Sequence, residues 1–194
     1  MLDNRFLKEP YRRGGQEHDI YELDDRVLKV TRVGMFGFCP GIDIDLVEPG
    51  VDGRKFHLYE ATPVQYLLRL ELQNLLVPGL NSLEGIVEHA EGGIGIVISQ
   101  PRFEILAVSE ERIDAWFADQ GFHKVTDSGY YREEDNVAVF DAHAKNVVAF
   151  GRGLMPFDVI PCHPGSGFAE FIRLALARQE KLRAVRRVSP PLSD

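Results

Sequence analysis

Between Phe140 and Pro161 the chain reads FDAHAKNVVAFGRGLMPFDVIP, apolar runs of strand length with Asp141, Asn146 and Asp158 set among them. The apolar runs are short and separated by turns such as FGRG, so the segment reads as strands and turns. Carboxylates held among strands are costly unless a cation or a hydrogen-bond network compensates them. The three polar groups therefore mark a candidate site, and the rest of the chain has to supply what such a site needs.

At 194 residues with 44% hydrophobic content, the chain can bury a substantial core as about one domain, or as two small lobes sharing an interface. Net charge is -8 and the pI is near 5.3, which argues against a dedicated nucleic-acid binder and gives no reason to expect affinity for anionic membranes. Basic groups are local: Arg12 and Arg13, then Lys181, Arg183, Arg186 and Arg187, a cluster of the kind that usually forms a solvated face. Cys39 and Cys162 each lie beside a proline, outside any CxxC or Cys/His cluster. That excludes a zinc site built on thiolates and makes a reducing compartment the expectation; a disulfide between the two has no support in the pattern. MLDNRFLKEPYRR is charged from residue 3 onward, without the apolar stretch of a signal sequence, and no run approaches the roughly 18 apolar residues of a membrane span. A cytoplasmic location is expected.

DIYELDDRVLKVTRV, residues 19–33, reads as a hairpin turning at Asp24 and Asp25, with Lys29 on its second arm. GMFGFCPGIDIDLVEPGVDGRKF is broken by Gly and Pro but alternates in IDIDLV, which suggests a loop and a short strand or hairpin. TPVQYLLRLELQNLL, residues 62–76, is the clearest helix: Thr62 can cap it, Pro63 suits its first turn, Tyr66, Leu67, Leu70, Asn74 and Leu75 fall at helical spacing, and Glu71 lies on it. LEGIVEH and GIGIVISQP follow as strands joined by AEGG. A short helix begins at Ser109 and closes at Gly121, strands return in YYREE, NVAVFDAHA, NVVAF and LMPFDVI, and FAEFIRLALARQEKLRAV forms a last amphipathic helix before the polar tail RVSPPLSD.

Asp141 and Asn146 in DAHAKN, followed by Asp158 in PFD, resemble the catalytic core of the protein-kinase-like fold, and the D-x-H-x-x-N form, with His143, is similar to that of aminoglycoside phosphotransferases. Together with GGQEHDIYE, RVLKV, TRVGMFG, YLLRLELQN and VISQP, the pattern from about residue 13 to 160 resembles the compact kinase family of polyvalent proteins of phages and conjugative elements. The resemblance implies an α+β, reduced two-lobed fold, with an antiparallel sheet and one helix in the small lobe and a truncated large lobe. Residues 1–100 would form the nucleotide-binding small lobe and 101–194 the reduced large lobe, with a crossing near Ser99 to Arg102. It implies phosphoryl transfer from ATP with Mg2+ to a hydroxyl of a protein or a small molecule. Hard cations want carboxylate or amide oxygen, which Asn146 and Asp158 offer, and Asp141 would accept the hydroxyl proton. Lys29 would contact phosphates with Glu71 as its ion-pair partner, Gly14 and Gly15 would stand for the glycine loop, and backbone groups near Ser99 and Gln100 would meet the adenine edge, where side chains matter little.

The chain departs from better-known kinases in four ways. No GxGxxG precedes Lys29, Val139 stands where a histidine usually does, PFDVI lacks the glycine of DFG, and about 36 residues follow Asp158, too few for the usual peptide platform. A nucleotide-binding pseudokinase or interaction module is therefore the alternative. A metal-dependent hydrolase using Asp141, His143, Asp158 and His163 is a third reading, which leaves Lys29 and Glu71 unemployed. Asp141 and Asn146 also read as turn-formers, Lys29 as an outward strand lysine, Glu71 as a solvated helix residue, and Glu17 as a rival partner for Lys29.

Overall fold

The computed structural model describes residues 12–44, 54–104 and 106–188. The N-terminal residues 1–11, the end of the IDIDLV run at 45–47, the tail from 189 onward and the side chains of Arg12, Arg13, Arg183, Arg186 and Arg187 lie outside that description. The chain folds as a mixed α+β structure with antiparallel sheets and three helices among the described residues. No described helix is long and apolar enough to cross a membrane.

β1 (Arg12–Gly14), β2 (His18–Glu22) and β3 (Arg26–Thr31) form a meander, which the hairpin of β4 (Phe38–Ile44) and β5 (Arg54–Glu60) and the helix α1 (Pro63–Leu76) follow. β6 (Ser82–Glu88) and β7 (Ile94–Pro101) then complete a five-stranded antiparallel sheet in the order β1-β2-β3-β7-β6. The turn after β2 closes where the two aspartates predict it, with Leu23 N donating to Arg26 O at 2.9 Å. Register fixes which side chains share a face: Ile20 lies opposite Lys29 and Lys29 opposite Ile98, while Glu22, Val27 and Gln100 form the next row. The alternate residues Tyr21, Leu28, Val30 and Val97 make an apolar cluster on the other face.

The helix α1 starts as its sequence demands. Thr62 and Gln65 form a capping box, the Thr62 hydroxyl accepting from Gln65 N and the Gln65 side chain accepting from Thr62 N at 2.9 Å, with Pro63 in the first turn. Its buried stripe, Tyr66, Arg69, Leu70 and Gln73, follows the helical period. Tyr66 and Leu70 pack on Ile96 and Ile98 and so cover part of the sheet face that carries Lys29.

The second half opens with α2 (Glu110–Asp119), capped by Ser109. β8 (His123–Thr126), β9 (Gly129–Arg132), β10 (Val137–Phe140), β11 (Val147–Phe150), β12 (Gly153–Pro156), β13 (Ile160–Cys162) and α3 (Ser166–Val188) follow. Four of these strands form an antiparallel sheet ordered β13-β10-β9-β8, and β11 pairs with β12. The core lies between this sheet and α2, where the Phe117 and Tyr130 rings stack at 4.1 Å.

Two elements differ from expectation. β8 forms from HKVT, too short and polar to signal itself, because β9 supplies its pairing edge. α3 begins two residues earlier than its apolar pattern and runs through the basic cluster to Val188. The poorly patterned stretch after β3 is a full hairpin, β4 with β5, whose Phe56 ring packs against Phe140 at 4.8 Å and Phe168 at 6.2 Å in the second half.

Candidate functional site

Lys29 stands between Leu28 and Val30 on β3 and is only 7% exposed. The segment between β12 and β13 brings Phe157 and Asp158 across to it. Lys29 Nζ donates to Asp158 Oδ1 at 3.3 Å over 129 residues of chain and lies 5.8 Å from the centre of the Phe157 ring. Partial burial pushes the Asp158 carboxyl up, but the Lys29 ammonium, with Arg69 behind it, outweighs that effect and holds it below the usual carboxylate range. Asp158 is thus ionised at neutral pH, with 52% of its side chain exposed to the cleft.

That cleft has a volume of about 420 Å³. Ile20 and Val27 form its apolar roof, Phe103 and Phe157 add aromatic surface, and Lys29 and Lys145 bring positive charge. At one end Arg102 and Glu22 pair at 3.3 Å. The combination of apolar walls with a few polar groups is the usual composition of a small-molecule site.

Beside it, the DAHAKN loop folds on itself. Asp141 takes a φ of 58°, the left-handed region that aspartate tolerates better than most residues. Asn146 Nδ2 donates to Asp141 Oδ2 at 2.7 Å and to Asp141 O at 2.9 Å. His143 Nδ1 accepts from Lys145 N at 3.2 Å, which leaves the ring proton on Nε2, 3.2 Å from Asp141 Oδ1. Both oxygens of Asp141 are therefore oriented. Asn146 O accepts from Phe157 N at 3.0 Å and from Asp158 N at 3.4 Å, so the backbone ties this loop to the Asp158 segment.

Gly15 lines the cleft with a φ of 58°, and Gly14 pairs with His18 to close the β1–β2 hairpin. Glu71 is turned elsewhere: it is exposed on α1 and borders a separate groove of about 340 Å³ with Phe38, Leu68 and Leu72. Arg69 of α1 borders that groove too, and pairs with Glu17 of the β1–β2 turn, while Lys29 pairs with Asp158. Cys39, Cys162 and His163 also border the second groove; both thiols are free, and burial pushes that of Cys162 up to about 12. His163 thus stands apart from Asp141 and Asp158. Among the described residues, no group of three or more His, Cys, Asp or Glu side chains is placed to hold a metal ion.

Ser99 and Gln100 lie within β7, where Ser99 is paired to both Leu28 and Ser82. The Gln100 side chain is engaged within the protein. Gln100 Nε2 donates to Asn81 Oδ1 at 2.8 Å and to Phe157 O at 3.2 Å; Asn81 Nδ2 donates to Gln73 Oε1 at 2.9 Å, and Gln73 Nε2 to Val159 O at 2.7 Å. This buried amide chain holds both residues that flank Asp158. Sequence reasoning missed it, and missed Arg69, although the spacing 66, 69, 70, 73 was available to place Arg69 and Gln73 on the buried stripe.

The family described as serine/threonine/tyrosine kinase found in polyvalent proteins matches residues 54–160, more than half of the chain. The chain belongs to this family. No curated protein and no solved structure matches it. The matched span includes α1, the DAHAKN loop and Asp158, while Lys29 precedes it. Membership in this kinase family gives kinase-like phosphoryl transfer as the coarse function, and with it a nucleotide and an acceptor.

Proposed function

We propose that the protein transfers the terminal phosphoryl group of ATP to a hydroxyl of a protein or small molecule, within a reduced two-lobed kinase-like fold of residues 1–100 and 101–194. The observation that carries this reading is the Lys29–Asp158 pair at 3.3 Å, beside a loop that orients Asp141 from both sides. Ile20, Val27 and Phe157 offer apolar surface to a base, and Lys29 and Lys145 offer charge to phosphates. Magnesium fits the donor set, since Asp158 provides a carboxylate and Asn146 an amide oxygen, its nitrogen being engaged by Asp141. When bound, magnesium neutralises charge on the phosphates. Asp141, held by Asn146 and His143, accepts the acceptor's proton.

Incubation with labelled ATP and magnesium tests the reading. Transfer to the protein itself or to a lysate component should fall at least about 100-fold in Asp141→Ala and in Asp158→Ala. Unchanged transfer in both would overturn it. A second reading, nucleotide binding without transfer, draws on the β1–β2 turn, which directs the Glu17 carboxylate inward where a phosphate-gripping loop offers backbone N–H groups. It predicts thermal stabilisation by ATP with no label transferred.

A further inference from the structure

Protein kinases pair their strand lysine with a glutamate from the following helix. Here the charges are rearranged: α1 presents Arg69, and the acid comes from the turn between β1 and β2. We propose that Glu17 and Arg69 are positioning residues, a clamp that fixes this turn to α1 and thereby sets the end of the cleft that carries Lys29. The proposal rests on the nucleotide reading given under Proposed function.

Arg69 is 8% exposed, its Nη2 donates to Glu17 Oε1, and its guanidinium lies 4.9 Å from the centre of the Tyr66 ring. Its Nε is buried without a partner, so the guanidinium is aimed at Glu17 at the expense of its own full hydrogen bonding. His18 joins the clamp to the sheet, with Nε2 at 2.9 Å from Tyr66 Oη and 3.2 Å from Glu17 Oε1. One strand position further on, Ile20 faces Lys29 across β2 and β3. From a fourth direction Gly37, at φ 75°, brings its backbone so close that a Cβ there would collide with both Glu17 and Arg69. Turn, strand, helix and the loop after β3 thus converge on one partly buried ion pair, 21% exposed at Glu17. Removing either member leaves the other charge partly buried without compensation, so the clamp acts as a unit.

Two measurements test it on the full chain. Hydrogen exchange of the nucleotide-free protein should show that Glu17→Gln raises exchange in α1, and that Arg69→Met raises it in residues 15–18, because each loses its anchor in the other element. Exchange raised only in the mutated element would overturn the clamp. Binding of a fluorescent N-methylanthraniloyl ATP with magnesium should weaken about tenfold in each single variant and no further in the double variant, as for one interacting pair. Additive losses would overturn the proposal, as would a loss in Glu71→Gln with none in Glu17→Gln. Absence of binding to the unaltered protein would instead sink the nucleotide reading, and with it the role in the cleft, while exchange still reports on the pair. Should Arg69→Met fail to fold, Arg69→Lys keeps the charge but not the fork, and the same tenfold weakening is expected; wild-type affinity in it would overturn a geometric role.

Discussion

His18 is a base kept without its proton. Burial, and then the nearby Lys29 ammonium, lower its pKa from 6.5 to about 3, and its ring serves Tyr66 and Glu17 as a neutral partner. The unfolded chain binds a proton on this residue below about pH 6.5 and the folded chain does not until about pH 3, so stability falls with pH across that window. The slope approaches about 1.4 kcal/mol per pH unit. Glu17 opposes it, because burial raises its pKa above 4.5 and the folded state keeps a proton there that the unfolded state has lost. Asp158 adds to the loss only at lower pH, where its depressed folded pKa is crossed. Between pH 7 and 5.5 His18 therefore contributes a loss of stability as the pH falls. His18→Gln is expected to flatten the decline in stability over that interval, read from urea midpoints at several pH values. An equally steep decline in the variant would show that the histidine is not held neutral.

At the scale of elements, the amide chain does what no single ion pair does, since it joins α1, the segment before β6, the end of β7 and the Asp158 segment. Asn81→Ala should cost about 1–3 kcal/mol, because it strands the buried amides of Gln73 and Gln100, and chemical denaturation measures that loss. A change below about 0.5 kcal/mol would mean that water replaces the amide. Nothing in the local sequence marks Asn81, since an asparagine after Gly-Leu reads as a turn residue, and its burial depends on a glutamine that the fold brings to it. Elements with local causes were legible: Thr62, Pro63 and Gln65 start α1, Ser109 starts α2, and Asp24 with Asp25 turns the first hairpin. The contact of Asp141 with Asn146 was legible from their short spacing, whereas Lys29, expected to pair with Glu71 or Glu17, pairs with Asp158 across 129 residues of chain. The site was misread at Glu71, where an acid was sought because of resemblance, while helical phase placed Arg69 inward.

For the molecule as a whole, the hairpin of β4 and β5 sets how the two halves behave together. It leaves the first sheet after β3, and Phe56 lies on Phe140 and Phe168, with Arg54 reaching Glu170 at 3.2 Å. Phe140 immediately precedes Asp141, so the hairpin braces the strand that presents the proposed base. Phe56 is 38% exposed, and its truncation should cost about 1–2 kcal/mol of burial and ring packing. The more telling effect is on cooperativity. The single tryptophan, Trp116, lies in α2 and reports the second half alone, whereas far-UV circular dichroism reports both. If the hairpin couples them, the unaltered chain unfolds in urea with coincident transitions by the two probes. Phe56→Ala should separate those transitions, with the second half unfolding at lower urea. Coincident curves that merely shift together would assign the coupling to the contacts of Lys29, Gln73 and Gln100 instead, and the hairpin would be a passenger on a fold held by its cleft.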